Sequence, residues 1–194
     1  GPVLFPEDQR AIQIALSPEA SCAVLQNGHV SCWGTAPASA VGHAFVGSTK
    51  ISVPRDFRSV FFPAEIRGKV ARVRIAKTSA GNHKTCVLSQ SGDLWCWGEN
   101  SVGELGLGHA TQILEARFAQ KLIFPGNASI SDFCLGAEHG CAVSSAGNVY
   151  CWGSNAAGQV GQPLYSAVGT GEPTEPDLAS IQPVSIAGSM EVSQ

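Results

Sequence analysis

Apolar positions along the chain fall into short alternating runs, the period expected of half-buried β-strands and not of amphipathic helices. Ala11-Ile-Gln-Ile14, Val70-Ala-Arg-Val-Arg-Ile75 and Ile130-Ser-Asp-Phe133 are three such runs. Each precedes a longer stretch of one repeated design, at residues 21–34, 85–98 and 140–153. In every copy an apolar run meets three turn residues with Gly third (Gly28, Gly92, Gly147), and a second run follows, ending in Cys-Trp-Gly. A type I turn closed by a left-handed Gly has this signature, so each copy is predicted to be a hairpin. The anchor tryptophans Trp33, Trp97 and Trp152 are 64 and 55 residues apart, the scale of one propeller blade.

The predicted hairpins make a specific statement about cysteine. A loop of Gln26-Asn27-Gly28 pairs Leu25 with His29, and counting outward sets Cys22 opposite Cys32. The same count sets Cys86 opposite Cys96 and Cys141 opposite Cys151. Directly opposed residues on antiparallel strands have Cβ atoms about 4.5–5.5 Å apart, close enough for a disulfide with slight adjustment. Unpaired buried thiols and zinc are the rivals, since His83 and His139 lie near Cys86 and Cys141. The short Cys-x-x-Cys or His-x-x-x-His spacings of a zinc site are missing, so disulfides are expected and no metal or other cofactor is. Cys134 is left over, and its neighbours Phe133 and Leu135 predict a buried, inert thiol. Three bridges imply an oxidising compartment.

Composition agrees with strands and turns: 22 Gly and 11 Pro in 194 residues, with a single Met, are poor material for long helices. Twelve Lys+Arg against 15 Asp+Glu leave a net charge of -3 and no basic field to hold nucleic acid. No apolar run reaches the roughly 18–20 residues of a membrane-spanning helix, so membrane insertion is not expected. Gly1-Pro2 reads as the remnant of a cleaved tag, and no signal pattern follows it.

Two hairpins continue into Gly98-Glu-Asn-Ser-Val-Gly-Glu-Leu-Gly106 and Gly153-Ser-Asn-Ala-Ala-Gly-Gln-Val-Gly161. With Gly81-Asn-His83 and Gly136-Ala-Glu-His139 ahead of them, these segments make the chain resemble the regulator of chromosome condensation repeat family. The cysteine pairs place it nearest a disulfide-containing, secreted, bacterial-looking branch. The first copy departs: Ser17 and Ser21 stand near the Gly and His positions, and Thr35-Ala-Pro-Ala-Ser-Ala-Val-Gly42 has lost the Asn and the middle Gly. The resemblance implies an all-β fold, a β-propeller of four-stranded antiparallel blades. The repeats divide as 1–62, with an insertion loop, 63–124, and 125–182, with a long loop. Residues 183–194 begin a fourth repeat or form a closing strand, because Pro183-Val-Ser-Ile-Ala-Gly aligns with Pro63-Ala-Glu-Ile-Arg-Gly. The family's propellers have seven blades, so the chain is expected to be a partial propeller or an excerpt of a larger one. Its open edge strands would offer a route to homo-oligomers.

The resemblance also gives His83 and His139 a structural role at one repeat position, and Trp33, Trp97 and Trp152 one of packing between blades. His29, His43 and His109 are expected at the surface. No convergent nucleophile, base and orienter is legible, so the chain is not expected to be an enzyme. The insertions are where binding residues are expected. Arg55, Phe57, Arg58, Phe61 and Phe62 combine the arginine and aromatic character of interface anchors, although Phe57, Val60 and Phe61 also suit the outer strand of the first blade. The expected function is an extracellular or cell-surface binding or adhesion module, secreted or periplasmic, recognising a protein ahead of a glycan. Two alternatives are a guanine-nucleotide-exchange-type regulator of a small GTPase and an inhibitor of an extracellular enzyme.

Overall fold

The computed structural model describes Phe5 and residues 9–34, 58–161, 167–168 and 184, with backbone alone at 58, 59, 167 and 168. The fold is all-β: among the described residues three four-stranded antiparallel sheets follow one another along the sequence. The first contains β1 (Ala11–Leu16), β2 (Ala20–Leu25), β3 (Val30–Gly34) and β4 (Arg58–Ser59). The second contains β5 (Val70–Lys77), β6 (His83–Ser89), β7 (Leu94–Gly98) and β8 (Gln120–Lys121), and the third β9 (Ile130–Leu135), β10 (His139–Ser144), β11 (Val149–Ser154) and β12 (Ala167–Val168). Strands lie in chain order within each sheet. β1 packs beside β5 and β5 beside β9, so first strands are innermost and the sheets stand as successive propeller blades.

The hairpins form where the pattern puts them. Gly28, Gly92 and Gly147 have φ of 75°, 85° and 86°, and the Leu25 N–H donates to the His29 carbonyl at 2.8 Å across the three-residue loop. That register sets each cysteine pair face to face. Cys22–Cys32, Cys86–Cys96 and Cys141–Cys151 are disulfides with Cα–Cα separations of 4.1 Å. Cys134 departs from expectation: it is exposed, because its stretch of β9 lies on the open face of the third blade.

Burial follows blade position. Every residue of β6 is buried, since the middle blade is covered on both faces, whereas β10 alternates between half-buried and buried. An aromatic pair recurs in each blade: Phe5 on Trp33, Phe62 on Trp97 and Phe124 on Trp152, with ring centroids 6.2, 5.6 and 6.1 Å apart. Trp97 and Trp152 are fully buried. Trp152 also ties its blade to the one before, donating from Nε1 to the Glu104 carbonyl at 3.1 Å. Gly106 gives it room, as a Cβ there would lie 2.6 Å from Trp152 Cδ1.

The histidines need a correction. Lys84 pairs with Gly98 and His139 with Gly153, so Lys84 is the counterpart of His139, and His83 falls one place earlier. His83 and His139 therefore do not share a repeat position: Cys86 is three positions beyond His83 but Cys141 is two beyond His139. Lys84 is completely buried and donates to the His139 carbonyl at 2.9 Å and the Glu104 carbonyl at 3.4 Å, bridging the second and third blades. Residues 183–194, expected to begin a fourth repeat, lie outside the described residues except Val184, whose N–H donates to the Val149 carbonyl at 2.8 Å.

Candidate functional site

The segment between β7 and β8 is the long loop whose side chains the structure describes in full. Its first half is fixed by buried polar groups. Asn100, fully buried, accepts from the Leu105 N–H at 2.9 Å and donates to the carbonyls of His109 at 2.6 Å and Thr111 at 3.1 Å. Glu99 accepts from Gln112 and Asn82, both at 2.6 Å, and from the Ser101 N–H at 3.2 Å. Burial raises the Glu99 carboxyl, but those donors outweigh it and hold the group below its ordinary value. A short antiparallel bridge between Gly98 and Ile113 closes the loop's base.

On this frame the second half of the loop turns large side chains outward. Leu114 and Phe118 are 59% and 60% exposed. Arg117 lies over the Phe118 ring at 4.9 Å from its centroid and pairs with Glu115 at 2.6 Å. Leu114 and Phe118 flank an open groove of about 340 Å³ whose polar wall includes His109, Gln112 and Gln120. Apolar and aromatic anchors beside arginine, on backbone that needs little ordering, are the makeup of a protein-contact patch.

The sequence-predicted contact set is divided. Arg55 and Phe57 lie outside the described residues, and Arg58 is described in its backbone only, paired with Cys32 in β4. Phe61 is 65% exposed and free to make contact. Phe62 is 2% exposed and packed on Trp97, so it belongs to the core and not to a contact surface. Its place in the repeat was legible: Phe5-Pro6, Phe62-Pro63 and Phe124-Pro125 recur ahead of each blade. Leu114, Arg117 and Phe118 were missed, since nothing local distinguishes them from strand residues.

Among the described residues the histidines form no centre. His83 is buried with neither ring nitrogen hydrogen-bonded, and burial pushes its pKa down. His139 rests on Gly136, where a Cβ would fall 2.2 Å from its ring, and burial with the nearby Lys84 charge lowers its pKa as well. Among the described residues no three His, Cys, Asp or Glu are grouped to hold a metal.

Comparisons with known proteins agree with this architecture. The Regulator of chromosome condensation (RCC1) repeat matches residues 75–104 and 130–159, and a second form of the same repeat matches residues 91–143. The probable E3 ubiquitin-protein ligase HERC6 of Homo sapiens is 27% identical over 162 residues, 80% of this chain and 15% of HERC6. The ultraviolet-B receptor UVR8 of Arabidopsis thaliana is 30% identical over 152 residues, 78% of this chain and 31% of the receptor. The crystal structure of Prp20p from Saccharomyces cerevisiae superposes with a TM-score of 0.66 at 22% identity, over 84% of this chain and 35% of Prp20p. The chain thus spans about a third or less of the length of these relatives. Its blades, its hairpin register and these matches make it a member of the regulator of chromosome condensation (RCC1) repeat family of β-propellers.

Proposed function

We propose that the chain is a non-catalytic protein-recognition segment of a propeller that works in an oxidising compartment, secreted, periplasmic or at the cell surface. The observation that carries this is the rigid β7–β8 loop, which holds Leu114 and Phe118 out of the core beside Arg117. Three hairpin disulfides support the compartment, since reducing cytosol would not maintain them. Adhesion is one use of such a surface, and Phe61, with Arg55, Phe57 and Arg58 of the first insertion, offers a second contact. The GTPase-regulator alternative draws on Prp20p, a fold relative whose structure was described with its binding to Gsp1p and histones.

The test is affinity capture from extracellular or envelope extract by the oxidised chain and two variants, Leu114→Ser/Phe118→Ser and Phe57→Ser/Arg58→Ser. Both loop residues are more than half exposed, so circular dichroism and melting should be unchanged. Capture should fall at least about tenfold in the first variant, the loss of about 1.4 kcal/mol or more expected of truncated anchors. Undiminished capture by the first variant would reject the loop. Capture confined to a reduced cytosolic extract, with a small GTPase retained, would favour the exchange-regulator reading.

A further inference from the structure

The third blade differs from the other two in its cysteines. β9, β10 and β11 place Cys134 opposite Cys141 and Cys141 opposite Cys151, so three sulfurs lie in one row across three adjacent strands. Directly opposed residues of neighbouring strands project from the same face of a sheet, so the row shares one face. The position of Cys134 is held by Ala15 in the first blade, opposite Cys22, and by Arg74 in the second, opposite Cys86. A free thiol beside a bridge therefore exists in the third blade alone among those described.

Access differs in the same way. Cys22, Cys32, Cys86 and Cys96 are fully buried. Cys141 is half-buried and Cys134 is exposed. Both line an open cavity of about 240 Å³ walled by Phe133, Ala142, Val143 and Val149.

The backbone completes the geometry. Cys141 and Cys151 stand 4.1 Å apart at Cα, the narrow, non-hydrogen-bonded kind of antiparallel pair. The backbone N–H and C=O of Cys141 therefore point to β9, which makes Cys134 and Cys141 the wide, hydrogen-bonded kind, with Cα atoms about 5.5 Å apart. That separation is inside the range a disulfide spans. Exchange requires a thiolate to approach a sulfur from the side opposite its bonded partner. Cys134 flanks Cys141 on the side away from Cys151.

We propose that Cys134 is an exchange thiol for the Cys141–Cys151 bridge. Its thiolate attacks Sγ of Cys141, the Cys134–Cys141 bond forms as the Cys141–Cys151 bond breaks, and the electron pair leaves on Sγ of Cys151, which takes up a proton. One disulfide and one thiol are present before and after, so no oxidant or reductant is consumed. The blade then has two covalent forms, one stapling β10 to β11 and the other stapling β9 to β10.

The oxidised chain is incubated folded in mildly alkaline buffer without added thiol, quenched in acid, unfolded and labelled with N-ethylmaleimide. Cleavage after Glu138 and after Tyr150 separates the three cysteines for mass spectrometry. Label should be shared between Cys134 and Cys151, with a Cys134–Cys141 bridge in the second population. In Cys134→Ser, a change at an exposed site, no thiol should be labelled. Label confined to Cys134 after prolonged incubation would overturn the proposal. So would label on Cys141, because attack from β9 cannot release that sulfur, or label on Cys151 in Cys134→Ser.

Discussion

Lys84 shows how a single side chain can hold two blades together at a cost. Its amine is completely buried and meets two backbone carbonyls, of His139 and Glu104, with no carboxylate of the described residues in hydrogen-bond contact. Desolvation drives its pKa from the ordinary 10.5 down to about 8, against the pull of Glu104 and Glu138. Between those two values the unfolded chain holds more protons than the folded one, so stability rises with pH across that window. The charge penalty is fully present below about 8 and relieved above 10.5, worth about 3 kcal/mol in all. In Lys84→Met that rise should vanish. Urea unfolding of both proteins at several pH values checks it: wild type should gain on the variant as pH increases, and a constant difference would mean that the amine carries no burial penalty. Sequence reading did not find Lys84, because the eye pairs His83 with His139 by identity whereas the ladder pairs by count from the cysteine.

At the scale of the element, glycines with left-handed φ serve two different ends. Gly147 turns the β10–β11 hairpin at φ 86° with open space where a Cβ would go, so Gly147→Ala should cost only the backbone strain of about 1 kcal/mol. Gly106 has φ 71°, and its Cβ would press on Trp152 at 2.6 Å. Gly106→Ala adds displacement of a buried inter-blade ring to that strain, and about 3 kcal/mol or more should be lost. Paired denaturation curves measure the difference; equal losses would show that the ring yields freely. The hairpins were legible because turn, register and cysteine pairing are set within about a dozen residues. The contact loop was not: Leu114 and Phe118 lie next to Ile113 and Ala119, which are buried. Only the bridge of Ile113 to Gly98, the hydrogen bond Asn100 donates to the Thr111 carbonyl and the one Glu99 accepts from Gln112 decide which of them face out. Phe62 failed for a related reason, since its partner Trp97 is 35 positions away.

At the scale of the whole molecule the hydrogen bonds among the described residues couple adjacent blades, and the two junctions differ in kind. Blades two and three share Trp152, Lys84 and the pair of Arg72 with Asp132 at 2.8 Å. That ion pair is nearly half exposed at both ends and contributes little. Blades one and two are joined at the inner strands by Gln13, which accepts from the Val73 N–H at 2.9 Å and donates to the Val73 carbonyl at 3.2 Å. A salt bridge of Lys77 to Glu19 at 2.6 Å adds to the same junction, again at the surface. In a repeat array stability is close to a sum of unit and nearest-interface terms. Removing the Gln13 amide should then loosen the first blade without reaching the third. Two hydrogen bonds to backbone are worth about 1–2 kcal/mol together, so Gln13→Ala should speed amide exchange in β1–β3 about tenfold. β9–β11 should keep their protection, because they make no bond to Gln13 and meet its partner strand β5 through contacts that stay in place. Hydrogen exchange followed by mass spectrometry separates these segments. If β10 and β11 exchange faster by the same factor, the three blades open as one cooperative unit, and the junction at Lys84 and Trp152 carries the coupling across the whole array.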